Sequence, residues 1–105
     1  MRTIMRMTIP VEAGNDSIAE GSMQKTLESL LTELKPEAAY FFTQNGERGG
    51  FIVFDLKDTS QIPAIAEPLF RSFKAKLEFH PAMNVEDLKK GLSELGKKHA
   101  SGRAA

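Results

Sequence analysis

The chain contains no cysteine and no tryptophan, and it carries no excess of charge of either sign. Without cysteine it has no disulfide bonds, thiolate nucleophiles or sulfur-ligated metals. Fourteen basic and fourteen acidic residues give a formal charge of zero, so no global field attracts nucleic acid or a membrane surface. The apolar runs are too short for a membrane span or a signal peptide. We therefore expect a soluble, cytoplasmic protein that binds neither nucleic acid nor membrane.

Histidine is also scarce, which bears on metal binding. The two histidines, His80 and His99, lie far apart in the sequence, and no cysteine accompanies them. Metal sites in proteins usually draw several ligands of these types from closely spaced positions. We therefore expect no metal site, and we also expect no cofactor.

The length of the chain predicts a single domain. Its 105 residues, 41% of them apolar, are enough for one hydrophobic core and too few for two. Apolar periodicity and turn residues predict a β-α-β-β-α-β series with an added C-terminal helix. The predicted elements are strands over 1–9, 38–44, 51–56 and 75–80, and helices over 17–34, 59–73 and 84–98. The domain then spans 1–99, and residues 100–105 form a frayed tail.

Three local signals set the boundaries of these elements. Ser17 and Glu20 have the spacing of a capping box, which places a loop over 14–16 and the start of the first helix at Ser17. The glycine-rich segment 45–50 predicts a hairpin loop between the second and third strands. Pro68 removes a backbone hydrogen bond inside the second helix, so we expect a kink or a break there.

The central hairpin is apolar on both of its faces. Its strands contain Tyr40-Phe41-Phe42 and Phe51-Ile52-Val53-Phe54, without alternating polar positions. The helices of one chain cover one face of such a sheet, so the other face needs a second cover. We therefore predict a homodimer in which the two uncovered faces pack together.

Right-handed crossovers predict an antiparallel sheet in the order 4-1-3-2, of the ferredoxin-like α+β class. Alternation along each strand then assigns its residues to one of two faces. The open face, turned away from the helices, is expected to hold Ile4, Arg6, Thr8, Tyr40, Phe42, Phe51, Val53, Asp55, Lys76, Glu78 and His80. The helix side is expected to hold Met5, Met7, Ile9, Phe41, Ile52, Phe54, Leu56, Leu77 and Phe79. The sequence leaves open whether the second and third strands have the reverse assignment.

An apolar surface with a few placed polar groups is typical of a small-molecule pocket. Arg6 is the expected charge partner of a ligand, and Tyr40, Phe51, Glu78 and His80 complete the predicted ligand-binding residues. His80 and Glu78 are also the candidate catalytic residues, with His80 as the base and Glu78 as the group that orients it. The same side chains equally fit an interface, in which Arg6 and Glu78 form an ion pair between packed sheets.

The strand and helix order is also that of the RNA-recognition motif, whose third strand carries K/R-G-F/Y-G/A-F-V-x-F/Y. Gly50-Phe51-Ile52-Val53-Phe54 resembles the last five positions of that signature. Gly49, however, stands where the first stacking aromatic residue belongs, and the first strand has no aromatic residue. Because stacking and phosphate neutralisation are both deficient, RNA binding is disfavoured.

A longer stretch resembles the dimeric α+β barrel superfamily. The run 51–56, a capped helix ending in Leu69-Phe70, and Leu77-Glu78-Phe79 are similar to the corresponding part of muconolactone isomerases, over about residues 50–80. The resemblance implies ferredoxin-like subunits whose sheets pack face to face. That superfamily includes cofactor-free isomerases and monooxygenases, haem-degrading enzymes and stress-response proteins, so membership implies a dimer more than a reaction. No catalytic motif of the superfamily can be matched here residue by residue.

Together these features predict a homodimer that binds a small, partly apolar, anionic molecule on its open face. Cofactor-free proton transfer, as in an isomerase, is the chemistry that its side chains allow. The alternative is a non-catalytic interaction or regulatory module, in which the same residues only seal the dimer. The sequence leaves open the ligand, and it does not decide whether the C-terminal helix packs on its own subunit or on the partner.

Overall fold

A computed structural model describes residues 1–102 of the chain, and the side chains of residues 1–98. It shows an α+β fold with a four-stranded antiparallel sheet. The strands are β1 (Arg2–Ile9), β2 (Ala38–Gln44), β3 (Glu47–Asp55) and β4 (Lys76–Pro81). The helices are α1 (Val11–Glu20), α2 (Ser22–Leu34), α3 (Ile62–Phe73) and α4 (Val85–Gly102), and a 3₁₀ turn, Thr59–Gln61, precedes α3.

The sheet has the predicted topology. Its order is β2-β3-β1-β4 with every neighbouring pair antiparallel, which is the order 4-1-3-2 counted from the other edge. In the register of β1, Arg6 lies opposite Phe51 of β3 and opposite Glu78 of β4. Tyr40 of β2 lies opposite Phe51. One transverse row of the open face therefore runs Tyr40, Phe51, Arg6, Glu78 from edge to edge.

The predicted division of the sheet into two faces is confirmed. On the helix side, Met5, Ile52 and Phe54 are at most 1% exposed and belong to one core cluster with Phe73 of α3. Alternation buries every second residue of β1 and leaves the intervening ones partly exposed. Phe41 differs from the rest of the helix side, since it is 50% exposed. It lies on an edge strand, where few side chains of the helix layer can cover it.

The first helical segment starts earlier than predicted and contains a break. α1 begins at Val11, directly after Pro10, so the residues 14–16 predicted as a loop are helical. Pro10 suits this position because its missing N–H would have no partner inside the helix. Gly21 has a left-handed φ of +79°, which ends α1 and allows α2 to start in a new direction.

Tertiary contacts explain why the predicted capping box at Ser17 is wrong. The Ser17 side chain is buried, and its hydroxyl oxygen lies 2.8 Å from the carbonyl oxygen of Ala13 and 3.0 Å from that of Ser72 in α3. It therefore ties α1 to α3 inside the helix layer. The guanidinium of Arg48 from β3 lies against Gly14, so a Cβ at this position would require the arginine side chain to move.

The turn between β2 and β3 is tighter than the loop predicted over 45–50. Only Asn45 and Gly46 form it, with φ of +52° and +77°, the two positive angles that a two-residue type I′ turn requires. The two following glycines lie within β3. A Cβ on Gly50 would lie 2.5 Å from the carbonyl oxygen of Tyr40 and 2.9 Å from Cδ1 of Phe41. Glycine is therefore required at this position for close approach of the strands.

α3 has a capped start where the sequence predicts a helix, but it has no break at Pro68. Asp58 accepts a hydrogen bond from the backbone N–H of Ser60, and the Gln61 side chain accepts one from the backbone N–H of Asp58, which completes a capping box. Pro68 does not split the helix, which continues to Phe73. The Pro68 residue is exposed, so its ring disturbs no buried contact.

Every residue of α4 whose side chain is described, 85–98, is exposed. Asn84 caps the start of α4, since its Oδ1 accepts from the backbone N–H of Asp87 at 2.8 Å. The apolar side chains of one side, here called the α4 stripe, are 45% to 64% exposed; they are Val85, Leu88, Leu92 and Leu95. α4 extends to Gly102, and the last residues of the predicted frayed tail, 103–105, lie outside the described residues. None of the described helices is both long and apolar enough to cross a bilayer.

Candidate functional site

The open face carries a cluster of three aromatic rings. The ring of Phe51 lies 5.7 Å from that of Tyr40 and 6.0 Å from that of Phe42, measured between centroids, with tilted and edge-on geometry. Such angles are those that aromatic pairs prefer. Tyr40 is 62% and Phe42 39% exposed. The cluster is thus preformed, yet much of its apolar surface remains in contact with water.

Arg6 lies beside this cluster and forms no ion pair with a described residue. Its Nη2 donates a hydrogen bond of 3.0 Å to Oε1 of Gln44, a neutral side chain at the end of β2. Glu78 is opposite Arg6 in the register, but within the single chain the two side chains form no ion pair. Within the described part of the chain, Arg6 has no carboxylate partner. Gln44 was missed from the sequence, although it alternates with Tyr40 and therefore shares its face.

Glu78 is turned toward the histidine of the same strand. Nε2 of His80 lies 2.9 Å from Oε1 of Glu78, because residues two apart on a strand project from the same face. If Nε2 carries the proton, it donates to Glu78, and Nδ1 is left as the basic nitrogen. This is the contact predicted for a base oriented by a carboxylate. Both side chains are more than half exposed in the single chain.

The depression next to Arg6 is small. Its volume is about 90 Å³, and it is lined by Arg6, Met7, Thr8, Gln44, Lys76 and Glu78. Pockets for small molecules usually have about 300–1,000 Å³, so one open face does not enclose a ligand. Lys76 adds a second cation to this depression; the sequence placed it on the open face but did not single it out. The site therefore has positive character and needs a second wall.

Larger clefts lie elsewhere, on the helix layer. One of about 380 Å³ lies between α2 and α3, over Leu30 and Leu69, which belong to the core. Another of about 500 Å³ runs along α1 past Glu12, Asp16 and Glu20. These carboxylates are exposed and recur every four residues, as on an ordinary solvated helix face. None of the predicted site residues lines either cleft.

Asp55 forms an ion group at one end of the open face. Its Oδ1 lies 2.6 Å from the terminal ammonium of Met1, and its Oδ2 lies 3.0 Å from Nζ of Lys57. The hydrogen bond from the ammonium, followed by that from Lys57, lowers the pKa of Asp55 to about 2. Asp55 therefore remains ionised near neutral pH and is a structural group rather than a proton donor.

This ion group predicts a loss of stability in acid. The pKa of Asp55 in the folded chain, about 2, lies below the value of about 3.9 for an unfolded chain. Its contribution to folding is therefore complete above about pH 4 and disappears as the pH falls to about 2. We expect Asp55→Asn to flatten the dependence of Tm on pH in this window. Thermal melts should show an unchanged slope for Asp16→Asn on α1, and an unchanged slope for Asp55→Asn would contradict the prediction.

No group of three or more histidine or acidic side chains within residues 1–98 is arranged to hold a metal ion. Polar chemistry on the open face instead comes from a guanidinium, an ammonium and the pair formed by Glu78 and His80. The chain matches no protein-family model and no curated protein sequence. Its function is therefore inferred from the geometry of the open face.

Proposed function

We propose that this chain acts as a homodimer that binds a small, partly apolar, anionic molecule between its open faces. The observation that carries the proposal is the guanidinium of Arg6, which lies beside the aromatic cluster with the neutral Gln44 as its hydrogen-bond partner. A carboxylate or phosphate on the ligand would supply the missing countercharge through paired hydrogen bonds. An apolar part of the ligand would stack against Tyr40 and Phe51.

The second copy is needed to enclose the ligand. The depression of about 90 Å³ holds only a fragment of a typical ligand. Two sheets that pack face to face lie about 10 Å apart with their side chains between them, so the ligand would occupy the place beside Arg6 where the facing side chains leave a gap. A second open face would also cover the exposed parts of Tyr40 and Phe42. Dimerisation and ligand binding thus use the same surface.

Proton transfer without a cofactor is the reaction for which this face has the groups. His80 and Glu78 are two residues apart, so His80 lies about 7 Å along the strand from the row that contains Arg6. A small anion held by Arg6 would place a carbon atom near His80. His80 would then accept a proton at Nδ1, while Glu78 stabilises the imidazolium through Nε2.

The alternative function is a non-catalytic module whose open face only forms the dimer interface. The small depression favours it, because side chains of a second copy could fill the face completely. In that case Arg6 would have a structural role in the dimer and no role in ligand binding.

A ligand titration separates the two functions. We expect aromatic carboxylates to stabilise the wild-type chain, by about 2.7 kcal/mol at a hundredfold excess over Kd, whereas their neutral amides should not. Arg6→Gln should weaken binding about 10-fold to 100-fold, as expected for loss of a hydrogen bond to a charged group, without change in dimer mass. Isothermal titration measures the affinity for the carboxylate, and light scattering measures the mass of the dimer. Arg71→Gln on α3 is the matched control.

Two outcomes would decide against ligand binding. In the first, none of the carboxylates binds the wild-type chain. In the second, Arg6→Gln dissociates the dimer, which assigns the guanidinium to the interface.

The proton-transfer chemistry has its own readout, since His80→Gln should preserve binding of the carboxylate while abolishing exchange of its acidic C–H protons with deuterium.

A further inference from the structure

We infer that α4 is an exchanged arm, whose stripe packs on a second copy of this chain at the edge of that copy's sheet. This inference rests on the proposed homodimer and adds the surface that holds it together. The α4 stripe has spacings of three, four and three residues, which place its side chains on one side of the helix. They are 45% to 64% exposed, so the chain that carries the stripe does not cover it.

The start of α4 is held on the open-face side of the sheet. Arg2 alternates with Arg6 along β1 and therefore belongs to the open face. Its Nη1 donates to Oδ2 of Asp87, in the first turn of α4, at 3.2 Å, and its Nε donates to Glu37. The first turn of α4 therefore lies on the open-face side of the chain. One partner that covers the open face meets α4 as well.

The contact area supports a second copy as this partner. A stable dimer buries about 800 Å² on each subunit. As a flat outline, four strands of about seven residues give an open face of roughly 440 Å². An 18-residue helix adds an outline about 27 Å long and about 10 Å wide, roughly 270 Å². The open face alone thus falls well short of the usual interface, whereas the two surfaces together approach it.

The place where the arm lands follows from the orientation of the two-fold axis, which we take as parallel to the strands. In a two-fold dimer with its axis parallel to the strands, the edge strand β4 of one copy lies opposite the edge strand β2 of the other. α4 follows β4 after three residues, so it arrives beside the partner's β2. That edge carries Phe41, which is 50% exposed on the helix side. The stripe and this ring would cover one another.

A charge inserted into the stripe tests the arm. We expect Leu92→Glu to raise the dimer dissociation constant at least about 100-fold, because two symmetric contacts lose their apolar burial. Ser93→Glu adds the same charge one residue away, off the stripe, and should leave the constant nearly unchanged. Sedimentation velocity measures both. Since the stripe has no contact with the core of its own chain, Leu92→Glu should keep the wild-type circular dichroism spectrum.

A spin label locates the arm independently of this variant. The chain has no cysteine, so Ser93→Cys accepts a single nitroxide, which is mixed with unlabelled, ¹⁵N-enriched chain. We expect intermolecular broadening of the amide signals around the partner's Phe41. A dimer that is unaffected by Leu92→Glu and shows no such broadening would overturn the arm and leave the proposed ligand site intact. A wild-type chain with the mass of one subunit would overturn both, and absence of ligand binding in a dimer with broadened signals would overturn only the proposed function.

Discussion

Substitution of Val53 by aspartate is expected to convert the homodimer into single chains. Val53 lies near the middle of the open face, between Ala38 of β2 and Ile4 of β1. These directly opposite residues offer a carboxylate neither a cation nor a hydrogen-bond donor, and Arg6, in the next row of the same face, turns its guanidinium toward Gln44. Between two packed sheets an unpaired charge costs several kcal/mol, and the two-fold symmetry imposes this cost on both copies. We expect the dissociation constant to rise by at least about 1,000-fold.

In the single chain the same substitution should be mild, because Val53 is partly exposed there. Sedimentation velocity would then show a folded species with the mass of one subunit. Thr32→Asp, on an exposed position of α2, replaces another β-branched residue with the same charge and should remain dimeric. A Val53→Asp chain that keeps the wild-type mass at micromolar concentration would show that the open face is not the interface.

A single methyl group at Gly50 is expected to lower the free energy of unfolding by about 1–3 kcal/mol, the usual cost of overpacking. The added carbon would lie 2.5 Å from the carbonyl oxygen of Tyr40 and 2.9 Å from the ring of Phe41. The first of these atoms belongs to the backbone of the neighbouring strand, so relief requires movement of the β2–β3 pair. This pair also positions the aromatic cluster, and weaker ligand binding should accompany the loss of stability.

Urea unfolding measures the effect of Gly50→Ala. The matched control is Gly91→Ala in α4, because no described atom outside the adjoining residues and backbone of its own helix lies within 4 Å of the position of its Cβ, and alanine favours a helix by about 0.5–1 kcal/mol over glycine. The midpoint for Gly91→Ala should stay at or above that of the wild type. A change of less than about 0.5 kcal/mol for Gly50→Ala, typical of a neutral surface substitution, would mean that the two strands can separate without cost.

The faces of the sheet could be predicted from the sequence because alternation along a strand does not depend on distant parts of the chain. Met5 and Ile52 point to the helices and Arg6 and Phe51 to the open face for this reason. The strand order follows in the same way from the handedness of the connections. The row that contains Arg6 and Glu78 was therefore predictable before any coordinates.

Other features depend on contacts that no local pattern encodes. Ser17 has the spacing of an N-cap, but its buried hydroxyl lies between the carbonyl oxygens of Ala13 and of Ser72 in α3, a position that depends on the packing of α1 against α3. The sequence alone assigns Gly50 to a turn, but it lies in β3, where a glycine is required because β2 approaches so closely. Alternation also does not determine which neighbour a long side chain selects, so the bond from Arg6 to Gln44 was not foreseen. The candidate site was thus predicted as a set of residues, and its hydrogen bonds were not.

The mass of the wild-type chain in solution tests the central claim most directly. Each chain has a mass of 11.6 kDa, and two open faces packed together would double it. We predict that sedimentation equilibrium at micromolar concentration gives twice this mass. A single species of 11.6 kDa under the same conditions would contradict the claim that a second copy covers the open face.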